Sequence, residues 1–306
     1  MPLHEHSARP PKDPKMTTSS LIAVTGASGQ LGRLAIQTLL VRGTPADRIV
    51  AIVRDPAKVA NLVAAGVQVR EGDYDRPDTL DAALIGVERL LLISSSKVGK
   101  RAPQHQAVID AAARAGVCLI AYTSLLHADT SPLGLALEHV QTEQALQASG
   151  LPHVLLRNGW YAENYAAGIP GILEHGAMFG SAGDGRLSLA ARADYAEAAA
   201  AVIASDEPQA GKIHELAGDD AITLADFAAE LARQTGKPLI YQDLPQQDYR
   251  DALLAAGLPA GFAELLSDSD AGAAKDGLFD DSGTLGRLIG RATTPIADVI
   301  GKALAN

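Results

Sequence analysis

Thr25-Gly26-Ala27-Ser28-Gly29-Gln30-Leu31-Gly32 is the stretch on which the fold turns. It follows the apolar run Leu21-Ile22-Ala23-Val24 and opens an amphipathic segment, a strand–loop–helix order with glycines spaced GxxGxxG. Without a Cβ at Gly26 and Gly29 the main chain can turn sharply and approach a pyrophosphate, whose charge is favoured by free N–H groups at a helix start. Gly32 lets helix and strand pack closely, and Ser28, Gln30 and Leu31 complete the loop. No Lys-Ser or Lys-Thr follows the last glycine, so the loop is not a Walker A. The reading is dinucleotide binding; the alternative is a glycine-rich turn of another α/β protein.

Outward from this loop, β-branched runs alternate with alanine-rich amphipathic segments, the pattern of βαβ units around a parallel sheet covered on both faces. Strands are predicted over 21–25, 49–53, 67–70, 89–94, 117–123 and 153–156, with helices over 31–42, 56–65, 77–84, 103–115 and 135–149. Beyond Arg157-Asn158-Gly159 the alternation weakens. There the pattern gives helices over 191–205 and 224–235, strands over 212–216 and 239–242, and short helical pieces after Pro245. The fold class is α/β, a Rossmann-like doubly wound parallel sheet with a smaller C-terminal substrate domain. The expected organisation is a disordered tail over 1–20, a dinucleotide-binding domain over 21–159, and a substrate or lid domain over 160–306 with some elements returning to the core. Met16 is an alternative start.

Composition narrows the function. The chain of 306 residues has 26 Lys and Arg against 36 Asp and Glu, a net charge of −10 that repels a phosphate backbone, so nucleic acid is not the expected partner. One cysteine, Cys118, can build neither a disulfide framework nor a multi-cysteine zinc site, and a reducing cytoplasm fits it best. No apolar run approaches a membrane span, and the first nineteen residues lack the apolar centre of a secretory signal. The Asp268-Ser269-Asp270 cluster fails as a calcium loop because its twelfth position is Phe279, so no metal is expected.

Cofactor choice is read after the second strand. Arg54 can grip a 2′-phosphate with its guanidinium fork, which favours NADP(H), while Asp55 beside it could take the ribose hydroxyls of NAD. Lys58 adds positive potential one turn on. After the third strand, Gly72-Asp73-Tyr74 is either an adenine-side loop or an ordinary capping turn before Pro77.

A reductase of simple ketones needs an acid beside the hydride acceptor, supplied in short-chain dehydrogenases by Tyr-x-x-x-Lys. None of the seven tyrosines has Lys at i+4. His139 and Glu143, one helical turn apart, form either a proton relay with His139 as donor or a surface pair. A substrate that needs no enzymic acid is one whose reduced anion is stabilised by delocalisation; a quinone meets that condition.

Longer motifs now carry a resemblance. They are Leu91-Leu92-Ile93-Ser94-Ser95-Ser96, Ala121-Tyr122-Thr123-Ser124-Leu125-Leu126-His127-Ala128-Asp129-Thr130-Ser131-Pro132-Leu133-Gly134, and Leu156-Arg157-Asn158-Gly159-Trp160-Tyr161. With the glycine loop and the Ile49-Val50-Ala51-Ile52-Val53-Arg54 strand, they resemble the bacterial NAD(P)H:quinone oxidoreductases of type 2, within the NmrA-like atypical short-chain dehydrogenases. The resemblance implies NADPH-dependent two-electron reduction of a small-molecule quinone by direct hydride transfer, without flavin or metal. It also brings in the triphenylmethane dye reductases and the non-enzymatic NmrA-like redox sensors as alternatives. Carried over, it puts Ile93, Ser94 and Ser95 at the ribose, and Tyr122, Thr123, Ser124, Asn158, Gly159 and Trp160 around the nicotinamide. Trp160 and Tyr161, with Asn164 and Tyr165 one turn on, then offer flat surface for a quinone ring, or instead pin the second domain to the first. Tyr161 joins His139 as a catalytic candidate. His127 is either a pocket wall or a solvated loop residue. Monomer or homo-oligomer stays open.

Overall fold

Ile22 and Val24 bury their side chains on one face of the central sheet and Ala23 on the other, the two-residue period of a strand covered on both sides. In the computed structural model, which describes residues 20–305, this strand lies at the middle of a doubly wound sheet. The expected tail and Met16 fall outside the described residues, except that Ser20 is fully buried and bonds Glu88.

The first half alternates as its pattern requires: β1 (Leu21–Val24), α1 (Gln30–Val41), β2 (Ile49–Val53), α2 (Ala60–Ala64), β3 (Gln68–Glu71), α3 (Pro77–Ala83), β4 (Val87–Leu92), α4 (Arg101–Ala115), β5 (Leu119–Leu125), α5 (Ala136–Ser149) and β6 (His153–Asn158). The helix expected over 56–65 is a 3-10 turn, Pro56–Val59, running into the short α2. The second half continues with α6 (Ala162–Ala166), α7 (Ile169–His175), β7 (Ala177–Gly180), α8 (Arg192–Ile203), β8 (Ile213–Leu216), α9 (Leu224–Thr235), β9 (Ile240–Asp243), α10 (Gln246–Ala255), α11 (Ala260–Ala273), α12 (Thr284–Ile289) and α13 (Ile296–Leu304).

Seven parallel strands run in the order β3-β2-β1-β4-β5-β6-β8. The order reverses between β1 and β4, and that crevice is where an open α/β sheet takes its ligand. Three elements of the second half complete this core, one of them α12, whose Leu285 and Ile289 pack against α8 and β8. β8 pairs with β6, and α8 lays its buried alanines, among them Ala196 and Ala199, against α1.

The rest forms a lobe with its own core of Trp160, Tyr165, Leu224, Phe227 and Ile300, and a separate two-stranded sheet, β7 with β9. α9 opens with a capping box, Thr223 and Asp226 satisfying each other's N–H groups. No helix among the described residues is long and apolar enough to cross a membrane.

Candidate functional site

Thr25 ties the glycine loop to the switch point: its N–H donates to the Leu91 carbonyl at 3.0 Å, and its Oγ1 accepts from the Ile93 N–H at 3.0 Å. Gly26 follows with φ of +59°, a conformation that side chains resist. A Cβ on Gly32 would stand 2.5 Å from the Gly26 carbonyl oxygen and 2.8 Å from the Ala27 Cα, so only glycine lets α1 start against the loop. α1 has no side-chain cap and no acidic residue in its first turn, which leaves its positive end to an anion.

The loop floors a cleft of about 490 Å³ along the carboxyl ends of the strands. At one end lie Arg54, Asp73 and Tyr74. Arg54 is exposed and makes no ion pair among the described residues. Asp55 instead caps the next turn, accepting from the Ala57 N–H at 3.1 Å, so the residue that would have favoured NAD is occupied. Lys58 is exposed and does not line the cleft; its carbonyl accepts from Arg33 at 2.6 Å. Asp73 both lines the cleft and caps its own turn, accepting from the Asp75 N–H at 3.1 Å. Tyr74 donates to the Ile93 carbonyl at 2.9 Å, and burial raises its phenol pKa.

At the other end the chain leaving β4 makes the wall. Ser94 N–H donates to Thr123 Oγ1 at 2.9 Å, Ser95 N–H to His105 Nε2 at 2.9 Å, and Arg101 Nε to the Ser95 carbonyl at 2.5 Å. Tyr161 faces this wall. Its ring meets Tyr195 edge-on at 5.3 Å and lies beneath the Arg192 guanidinium at 4.5 Å. Burial raises the Tyr161 phenol pKa, while the Asn158 side chain and the Arg192 charge oppose the rise. Arg192 also bonds Gln30 at the start of α1, so the second half of the chain reaches the glycine loop.

Several residues expected at the nicotinamide side lie behind the wall. Tyr122 is fully buried, sharing a 2.8 Å hydrogen bond with His139 Nδ1 and packing edge-on against His105 at 5.4 Å. Strand alternation turns it toward α4 and α5, away from the cleft. Thr123 supports Ser94 from behind, and Ser124 donates to Glu143 at 2.5 Å. Asn158 and Gly159 are buried, the latter packed where a Cβ would touch the Tyr195 hydroxyl at 3.0 Å. Trp160 and Tyr165 belong to the lobe core, and Tyr165 donates to Asp270 at 2.8 Å. Of the pair expected to seat a ring or to pin the two parts together, Trp160 packs in the lobe core, where Tyr165 joins it, while Tyr161 lines the cleft. Asn164 meets Arg192 at 3.4 Å and acts from outside the lining.

His139 and Glu143 form neither the relay nor the surface pair. His139 is 4% exposed, and burial first, then Arg101 and His105, press its pKa down to about 3, so its ring is neutral at physiological pH. Glu143 instead holds Arg157 at 2.7 Å, in a network that Asp129 and Glu215 complete. His127 is likewise a joint: its backbone N–H donates to Glu215 at 2.8 Å, and Nε2 lies 3.2 Å from the Phe279 carbonyl. Asp268 and Asp270 are spent on Gly134, Tyr165 and Ser181.

Lys97, Arg101, Gln104 and Arg192 line the cleft and escaped the sequence reading. The signal available was the basic Arg101 at the first position of α4, where the helix dipole disfavours a cation.

The NAD(P)H-binding family matches residues 26–206. Quinone oxidoreductase 2 of Escherichia coli is 58% identical over 280 residues, covering 92% of this chain and 97% of that protein. The crystal structure of the E. coli NADPH-dependent quinone oxidoreductase complexed with NADPH superposes with a TM-score of 0.90 at 57% identity, covering 94% of this chain and all of that one. Triphenylmethane reductase of Citrobacter sp. superposes with a TM-score of 0.88 at 36% identity, again over 94% of this chain and 100% of its own. With the glycine loop, the switch-point cleft and these likenesses in agreement, the chain belongs to the NAD(P)H-binding, NmrA-like family that includes Quinone oxidoreductase 2.

Proposed function

We propose that this chain catalyses NADPH-dependent two-electron reduction of quinones to hydroquinones by direct hydride transfer, without flavin, in the cytoplasm, with the part beyond residue 159 serving as substrate domain. The observation that carries it is one cleft joining an unpaired, exposed Arg54 to an aromatic Tyr161 through the glycine loop, in a chain without a Tyr-x-x-x-Lys acid.

The residues present fit the dinucleotide. Gly32 lets α1 begin directly against the loop, the uncapped start of α1 suits a pyrophosphate, and Arg54 suits a 2′-phosphate. When bound, NADPH supplies the hydride. Arg192, at the start of α8, would clamp the pyrophosphate, and Ser94 and Ser95 would orient the ribose. Tyr161 would offer its face to the acceptor ring, so that the protein contributes alignment and a partly dry pocket.

The test is the decay of reduced-nicotinamide absorbance with and without a simple benzoquinone, beside a triphenylmethane dye. Quinone-dependent decay, faster with NADPH than with NADH, supports the proposal. Decay with the dye alone makes the chain a dye reductase, and no decay with either leaves a cofactor-binding sensor.

A further inference from the structure

Arg101 stands where a buried cation is hard to explain by the protein alone. Its residue is 8% exposed, and its Nε is held by the Ser95 carbonyl at 2.5 Å. Its Nη1 is buried and has no hydrogen-bond partner, and no carboxylate lies within ion-pair distance of the guanidinium among the described residues. Glu138, the acid nearest in the chain fold, uses one oxygen on the Gly99 N–H and the other on the Arg101 N–H, both at 3.0 Å. It thereby caps α4 and fixes the backbone of Arg101, and its charge favours the nearby guanidinium without hydrogen-bonding it.

Burying an unpaired charge is costly, so a guanidinium held this way calls for an anion that arrives from outside. The cofactor phosphates have Arg54, the start of α1 and Arg192. Arg101 follows β4 and Arg54 follows β2, on opposite sides of the switch point. Arg101 lines the cleft bonded to Ser95 and near enough to Tyr161 for their charges to interact, the end where the acceptor ring is proposed to sit. An acceptor quinone gains two electrons and one proton in the hydride, as the cofactor is oxidised by the same two electrons, and leaves the step as a hydroquinone monoanion. A proton from water neutralises it afterwards.

We infer that Arg101 is a catalytic residue whose guanidinium donates to the acceptor oxygen on which this negative charge develops, the task that the absent tyrosine acid performs in ketone reductases. The inference rests on the proposed quinone reduction. Donors aimed at developing charge in a dry site are among the largest contributors to catalysis.

R101Q should lower kcat about a hundredfold, while the NADPH dissociation constant from fluorescence quenching stays within about threefold. The fall should be greater for alkyl-substituted quinones, whose hydroquinone anions are more basic, than for halogenated ones, and R101K should recover part of it. A rise in the NADPH dissociation constant with kcat preserved would make Arg101 a cofactor clamp and overturn the inference, as would an equal fall for every quinone.

A second measurement needs no variant. 4-Nitrophenol bound to the NADP⁺-loaded wild-type protein should ionise about one pH unit lower than in solution, read from the phenolate band. An unshifted ionisation overturns the inference even if R101Q does not fold. Wild-type protein that ionises the phenol but reduces no quinone would sink the functional proposal and leave the anion site standing.

Discussion

The two ends of the cleft are each marked by an arginine, and they are held in opposite ways. Arg54 sits exposed just after β2, where water solvates it and where the proposed 2′-phosphate would replace that water. Arg101 is buried at the start of α4, anchored by Ser95 and without a direct ion pair among the described residues. An exposed cation selects a ligand at little cost to the fold and is screened by salt. A buried one is preorganised, costs stability, and is felt only by what enters the pocket. In the proposed roles, recognition and chemistry use the same kind of side chain under two dielectrics.

The comparison is broken most forcefully at its exposed end. Arg54→Glu should raise the KM for NADPH several hundredfold, about 3–4 kcal/mol, by removing a charge-assisted contact and adding repulsion, and should leave the KM for NADH within a few fold. Equal effects on both cofactors would remove Arg54 from phosphate recognition.

Next comes the lobe, whose core Tyr165 ties to the buried Asp270. Burial lifts the Asp270 pKa to about 6, against the hydrogen bonds from Tyr165 and Ser181. The folded state therefore keeps a proton between about pH 4 and 6 that the unfolded chain has released, and stability falls as pH rises through that window, by about 2–3 kcal/mol, then levels off. Denaturant unfolding at several pH values should show this fall in the wild type and its loss in Asp270→Asn, whose NADPH preference is unchanged.

Salt separates the arginines more gently. Raising ionic strength from about 10 mM to about 150 mM should increase the KM for NADPH about fivefold, with kcat steady because Arg101 is shielded from ions. A parallel fall in kcat would mean that the buried end is open to solvent.

The smallest effect belongs to His139. His139→Gln keeps an acceptor for the Tyr122 hydroxyl and should hold kcat within about threefold, with no change in the pH profile between 5 and 8, since a group titrating near 3 is silent there.

Sequence reading succeeded where one-dimensional pattern decides structure. The expected bounds of β2 and α9 match the structure, Ile49–Val53 and Leu224–Thr235: a continuous apolar run marks the strand, and the structure closes the helix with a capping box at Thr223 and a left-handed Gly236. The glycine loop was equally legible, since its spacing is the mechanism. Tyr122 and Trp160 were assigned to the right neighbourhood and the wrong face. Being at the carboxyl end of a strand says that a residue is near the ligand, whereas side-chain direction depends on what α4, α5 and the lobe pack against it. Arg101 was missed for a related reason: its position in the cleft is set by Glu138, 37 residues away in the chain. The short α6, α7 and β7 carry too few residues for a period to emerge.

Because β8 is the last strand added to the sheet and α8 covers α1, the nucleotide half cannot be finished while only its own residues have left the ribosome. A chain cut after Asn158 would leave β6 as a naked edge and an oily helix side without cover, an invitation to aggregation. The sheet core and the lobe are thus made inseparable by threading, so gene fusions or domain exchanges between relatives should keep residues 21–289 together and never be spliced at residue 159.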